Sequence, residues 1–243
     1  MKNLIFVFAC LISVSVFGQG ACNNQSSVTH QGYEYDIVAI GDQCWFAENC
    51  RYLPVVSPSS EGSDTSPYYY VYDYEGSTVE EAQATDNYAT YGVLYNWPAV
   101  MTEGICPSGW HIPSEEEFTQ LTDFLGKGAG YQMKSTSWWP GPNSQGVFDY
   151  KNRNGSNSSG FNGLPGGHRD SGDEENFLQL AGLTSDITEI HGGFHNIGMV
   201  GHWWSSTESG SRPPACELIF SKDDLFRCNP KQFLGFSARC VRD

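Results

Sequence analysis

The sequence predicts a single exported α+β domain with few helices and long packed loops. Three observations predict it. An apolar leader opens the chain. Only the segment 114–126 carries a complete helix signature. Strand patterning gathers at 33–49 and again beyond residue 215, with a long stretch rich in Gly, Ser and Asn between them.

The opening "MKNLIFVFACLISVSVFGQG" has Lys2, an apolar run from Leu4 to Phe17 and then small residues. This is the pattern of a secretory signal peptide, too short to span a membrane. Val16 and Gly18 suit a cut after residue 18, which leaves 19–243 as one domain. A lipoprotein reading competes, because Gly20 and Ala21 precede Cys22, but Gln19 is a poor residue for the apolar position of that motif.

Residues 33–49, "YEYDIVAIGDQCWFAEN", alternate apolar and polar around Gly41-Asp42 and read as a two-stranded hairpin. Residues 54–67 read as loop. "SPYYYVYDYEG" is too aromatic for a linker and reads as a surface cover or a groove wall. "TVEEAQA", 78–84, is a weaker helix with a plausible cap. The clear helix starts at Ser114, where Glu117 completes a capping box after Pro113. Phe118, Leu121, Phe124 and Leu125 form its apolar stripe, and Gly126 ends it. Residues 126–215 read mostly as loop, packed rather than disordered because they carry Trp pairs and patches such as "NFLQLAGL". The C-terminus returns to strands at "ACELIF", "LFRC" and "GFSARCVRD".

The formal charge is −15 over 243 residues, and −16 for the 225 residues (243 minus 18) left after the leader and its Lys2 are removed. A chain this acidic repels nucleic acid and anionic lipid. Of eight cysteines, Cys10 leaves with the leader. The other seven read as disulfides in an oxidising compartment, with one left over. None has the two-residue spacing of a zinc or thioredoxin-like motif.

Candidate chemistry is sparse. "HGGFH" sets His191 and His195 four apart, but the glycines between them argue against a metal-binding helix, and His168 and His202 add little. Asp170, Asp173, Glu174 and Glu175 around Gly172 match no calcium loop and read as a solvated acidic segment. "WWSSTESGS" lacks a nucleophile elbow. We therefore expect no metal and no cofactor. In "GICPSGWHIPSEEEF", Cys106 and His111 precede the helix and pose a choice between a catalytic pair and a structural corner.

Six stretches, in this order, resemble the Fibrobacter succinogenes major paralogous domain family: "IGDQCWFAEN", "YGVLYNWPAV", "GICPSGWHIPSEEEF", "GFNGLPGGHRD", "WWSSTES" and "GFSARCVRD". The match runs from about residue 28 to 243. The resemblance implies a secreted or cell-surface protein with a C-type lectin-like fold, in which a small antiparallel sheet joins the chain ends. It also implies a bridge from the first helix to the last strand, here Cys106–Cys240, which makes Cys106 and His111 structural. It suggests Cys22–Cys44 as a further pair, with Cys50 odd because the family often has Leu there. Cys216 and Cys228 fall where such domains often carry a second bridge. Cys44–Cys50 with a lipidated Cys22 stays open.

The function expected is extracellular binding of a protein or glycan without catalysis. Attachment to the outer surface and the oligomeric state are left open. The alternatives are an oxidase of the formylglycine-generating type, which would need a reactive cysteine pair in a groove, and a self-associating structural surface protein. The expected binding face lies between the recognisable C-terminal blocks, on Arg212, Asp223, Asp224, Phe226, Arg227 and Lys231, with Trp204 if its ring is exposed. The tyrosine-rich segment 68–74 is the second choice.

Overall fold

The computed structural model describes residues 20–139, 153–170 and 193–243. The leader 1–18, the patch 176–183, Gly172 and the acidic residues Asp173, Glu174 and Glu175 lie outside the described residues, as does His191.

The chain starts as a meander. β1 (Ser27–His30) pairs antiparallel with β2 (Tyr33–Ile40), and β2 pairs antiparallel with β3 (Gln43–Phe46). The β2–β3 turn is the Gly41-Asp42 dipeptide read from sequence. Gly41 sits at φ +61°, a left-handed conformation that favours glycine, and a Cβ there would crowd the Phe124 ring at 3.0 Å. Next come β4 (Tyr69–Tyr70), α1 (Val79–Gln83), α2 (Asp86–Tyr91), β5 (Leu94–Tyr95), α3 (Trp97–Val100) and β6 (Trp110–His111). α4 (Glu115–Leu125) and α5 (Ala129–Met133) complete the five helices among the described residues. β7 (Gly166–Asp170), β8 (Gly193–Ile197), β9 (Val200–Trp204), β10 (Ala215–Ile219), β11 (Leu225–Cys228) and β12 (Val241–Arg242) follow.

The final strand lands between early ones. β12 pairs antiparallel with β3 (Val241 opposite Trp45) and with β6 (Val241 opposite His111), giving a five-stranded sheet of order β1-β2-β3-β12-β6. The second sheet runs β11-β10-β9-β7-β8 and is antiparallel except where β7 meets β9. The molecule is thus a sheet-rich α+β domain with short helices.

The second sheet holds strands where the sequence reads as loop. "GGHRD" and "VGHWW" look like turns because of their glycines. These glycines instead mark close backbone approach. A Cβ on Gly167 would lie 2.3 Å from the His195 carbonyl oxygen, and one on Gly201 would lie 2.4 Å from that of Leu164.

β9 and β10 are buried on both faces and separate two cores. On one side Trp204 and Phe236 pack with Tyr95, Phe46 and Tyr35. On the other Trp203 packs with Phe161, Trp45, Phe118 and Leu121. α4 begins as read. The Glu117 amide donates to Ser114 Oγ (3.2 Å), and the Ser114 amide donates to Glu117 Oε2 (2.7 Å). Its apolar stripe is narrower than expected. Phe118 and Leu121 are buried, but Phe124 is 57% exposed, lying over the β2–β3 turn rather than in a core.

Two disulfides form, Cys22–Cys44 and Cys106–Cys240. Cys50, Cys216 and Cys228 are free thiols, so the expected Cys216–Cys228 bridge is corrected. Register explains it. Cys216 stands opposite Arg227, and Cys228 stands opposite Ala215. Opposed residues share a face and neighbours along a strand alternate, so the two thiols point to opposite sides of the sheet. A bridge would require β11 to slip by one residue, which would turn over all its side chains.

Candidate functional site

A concavity lies beside Cys106, at one end of the Cys106–Cys240 bridge. α3 starts at Asn96, whose Oδ1 accepts from the Ala99 amide (3.1 Å), with Pro98 in its first turn. It ends at Met101, and Thr102 Oγ1 donates back to the Ala99 carbonyl (2.7 Å). The loop 102–109 then turns through Gly104 (φ +100°) and Gly109 (φ +78°). Cys106 ties this loop to Cys240, just before β12, and the Asp243 amide donates to the Gly109 carbonyl (3.1 Å).

These constraints hold open a cleft of about 390 Å³. Val100, Ile105 and Ile112 give it a buried apolar floor. Met101, 43% exposed, forms one lip, and Glu103, Ser108 and Ser206 supply polar groups at the rim.

His111 stands in the cleft wall with both ring nitrogens facing carboxylates. Its Nδ1 is 2.6 Å from Asp243 Oδ1, and its Nε2 is 2.8 Å from Glu117 Oε1. The other oxygen of Glu117 closes the α4 capping box, so one carboxylate joins cap, histidine and chain end. Partial burial alone would lower the His111 pKa. The hydrogen bonds to Asp243 and Glu117, with the charges of those groups, outweigh it and raise the pKa above 6.5. A raised histidine pKa contributes stability that is full below the unfolded value and is lost as pH rises through the folded one. The melting-temperature gap between wild type and His111→Gln is therefore wider at about pH 5.5 than at about pH 8.5. An equal gap at both pH values would show that the carboxylates do not hold the proton.

The residues expected to form the binding face separate. Trp204 is fully buried, its Nε1 donating to the Tyr95 carbonyl (2.6 Å) and its ring stacked on Phe236, so it leaves the candidate set. Arg227 turns towards α4: Nη1 lies 3.1 Å from Cys216 Sγ and Nη2 donates to Thr119 Oγ1 (3.3 Å). Phe226, its neighbour on β11, stands opposite Glu217 on the other face and is 36% exposed. Asp223 and Asp224 dock at the start of α5, where the Asp223 carbonyl accepts from the Tyr131 amide (2.9 Å) and Asp224 Oδ1 from the Gly128 amide (3.2 Å). Arg212 is exposed and donates to the Asn229 carbonyl (3.1 Å). The Lys231 ammonium lies 5.3 Å from the Phe233 ring centre. In the second-choice segment, Tyr69 and Tyr70 are core residues. Sequence reasoning missed the cleft because its wall comes from loops and its only sequence signal, "CPSGWH", reads as a helix approach.

A second polar group spans β7–β10. His168 Nε2 and His195 Nε2 lie 3.8 and 3.5 Å from the Asp170 carboxylate, and His202 Nε2 lies 3.4 Å from Glu217 Oε2. Burial pushes His168 down to about 4, so it is neutral at physiological pH. Among the described residues no group of three or more His, Cys, Asp or Glu is arranged to hold a metal ion.

Fold and site together define a disulfide-tied, sheet-rich α+β domain whose last strand is inserted between two earlier ones, with a cleft beside that tie. The chain belongs to the Fibrobacter succinogenes major domain family, whose sequence model matches residues 38–242. No curated protein and no solved structure matches it.

Proposed function

We propose that this protein is an exported, C-type lectin-like binding domain that holds an extracellular glycan or protein segment in the cleft beside Cys106–Cys240. The observation that carries the reading is the cleft itself: about 390 Å³, an apolar floor, a polar rim and a wall tied by a disulfide. Ligand sites pair apolar lining with a few placed polar groups, on a scale of roughly 300–1,000 Å³. The lectin-like architecture is supported by the pairing of β12 with β3 and by the bridge from the approach to α4 to the chain end. Export is supported by the leader pattern and by the two disulfides. Binding without catalysis is supported by the state of the reactive residue types in the wall. Cys106 is bonded, and both nitrogens of His111 are engaged. The net charge of −15 favours neutral or cationic ligands.

The test is a screen of the oxidised domain against neutral and charged glycans and surface proteins, followed by variants. Met101→Arg, placed at the lip, lowers affinity roughly tenfold or more while the melting temperature is unchanged. The double variant Arg212→Ala/Phe226→Ala keeps wild-type affinity. The reverse pattern moves the site to the face carrying Arg212 and Phe226, and no binding across the screen overturns the reading.

A further inference from the structure

A third sulfur lies beside the long bridge. Cys50 is fully buried, and its Sγ is 3.5 Å from Sγ of Cys240, which is bonded to Cys106. The backbone holds this contact in place. The Phe46 amide donates to the Cys240 carbonyl and the Cys50 amide to the Ala238 carbonyl, each at 2.9 Å, so residues 46–50 run alongside 238–240. The three sulfurs differ in surroundings. Cys50 and Cys240 are enclosed in the core, whereas Cys106 is half-buried and lines the cleft.

Thiol–disulfide exchange needs a thiol in reach of one sulfur of a disulfide, and a leaving sulfur with somewhere to go. Both conditions hold. Cys50 needs to close from 3.5 Å to a bond of about 2.0 Å on Cys240. Cys106, whose sulfur would leave, is half-buried at the edge of the core and is one of the residues lining the cleft. The bridge present is Cys106–Cys240, and burial pushes the Cys50 thiol up to about 12, against the attraction of Arg239, so Cys50 rests protonated.

We propose that Cys50, Cys240 and Cys106 form an internal thiol–disulfide exchange site whose outlet is a Cys106 thiol in the cleft, where low-molecular-weight disulfides attach covalently. In the first step Cys50 gives up its proton, which ends on the departing Cys106 sulfur, and its sulfur attacks Cys240 Sγ. The Cys50–Cys240 bond forms, the Cys240–Cys106 bond breaks, and the electron pair leaves on Cys106 Sγ. One disulfide and one thiol are present before and after, so no oxidant is needed. In the second step the Cys106 thiolate attacks an external disulfide. A mixed disulfide forms on Cys106, and the other half of the reagent leaves as a thiolate that takes up a proton. This site does not depend on the ligand-binding role of the cleft.

The test uses cystamine, a small cationic disulfide suited to an acidic protein. The native oxidised protein is incubated with it, quenched with acid, and mapped as peptides without reduction. The expected result is cysteamine on Cys106 together with a Cys50–Cys240 linked peptide. Cysteamine on Cys50, or an intact Cys106–Cys240 peptide after prolonged incubation, overturns the proposal. The wild-type map decides this without any variant. Cys50→Ala and Cys50→Val then test the role of Cys50: cysteamine on Cys106 falls at least tenfold in whichever variant retains a cooperative melt. Undiminished labelling there means that external thiol opens the bridge directly, and the internal step is wrong.

Discussion

Replacing Cys240 by Ser lowers the unfolding free energy by about 5 kcal/mol as an upper figure, enough to threaten the fold. The bridge it removes closes a sequence separation of 134 residues. The chain-entropy relation for a loop of that length gives about 5 kcal/mol, and the separation of 22 closed by Cys22–Cys44 gives about 3 kcal/mol. Urea unfolding should therefore rank Cys240→Ser as more damaging than Cys22→Ser, and the opposite ranking would refute the loop-length argument. Cys106→Ser is milder than Cys240→Ser if Cys50 takes its place, because a Cys50–Cys240 bond closes a separation of 190 residues. Equal losses in the two serine variants, with Cys50 still a free thiol in Cys106→Ser, would mean that Cys50 cannot reach Cys240.

Arg239→Met is the second large effect, with a cost of about 3–5 kcal/mol expected. Arg239 is fully buried. Its Nε donates to Asn49 Oδ1 (3.1 Å), Nη1 to the Phe46 carbonyl (3.1 Å) and to the Phe161 carbonyl, and Nη2 to the Asn162 carbonyl (3.0 Å). Its guanidinium also lies 4.1 Å from the Phe161 ring centre. Burial pushes its pKa down to about 9, so it is still a cation at neutral pH. Methionine fills similar space but removes the guanidinium donors to the Phe46, Phe161 and Asn162 carbonyls, and a buried acceptor left unsatisfied costs about 1–3 kcal/mol. Asn49 spreads the damage, since its Oδ1 also accepts from Trp203 Nε1 (2.9 Å) and its Nδ2 donates to the Tyr91 carbonyl (2.9 Å). Arg239→Lys recovers little, because an ammonium cannot reproduce the planar fork that reaches two chain segments, 46–49 and 161–162. Thermal melts of both variants check this, and a lysine variant as stable as wild type would show that charge alone suffices.

Parts of the molecule were readable before any coordinates. The Gly41-Asp42 hairpin and the Ser114–Glu117 capping box are local patterns, complete within a few residues, and they form where the sequence places them. The family was readable as well, because six ordered blocks spread over the chain carry it. Less readable were the strands "GGHRD" and "VGHWW", whose glycines signal turns in isolation and serve close sheet packing in the fold. Trp204 shows the same limit: a tryptophan between Trp203 and Ser205 gives no sign of whether its ring meets solvent or Phe236.

Local chemistry thus settled which segments turn, cap and alternate, since those choices depend on neighbours a few residues away. Strand register and chain crossing settled the rest. Register put Cys216 and Cys228 on opposite faces of one sheet. Crossing set Cys50 against Cys240 across 190 residues of chain and shaped a cleft from loops that share no pattern. Contacts of that kind depend on where two distant backbones meet, and the spacing of residues along one segment carries no record of it.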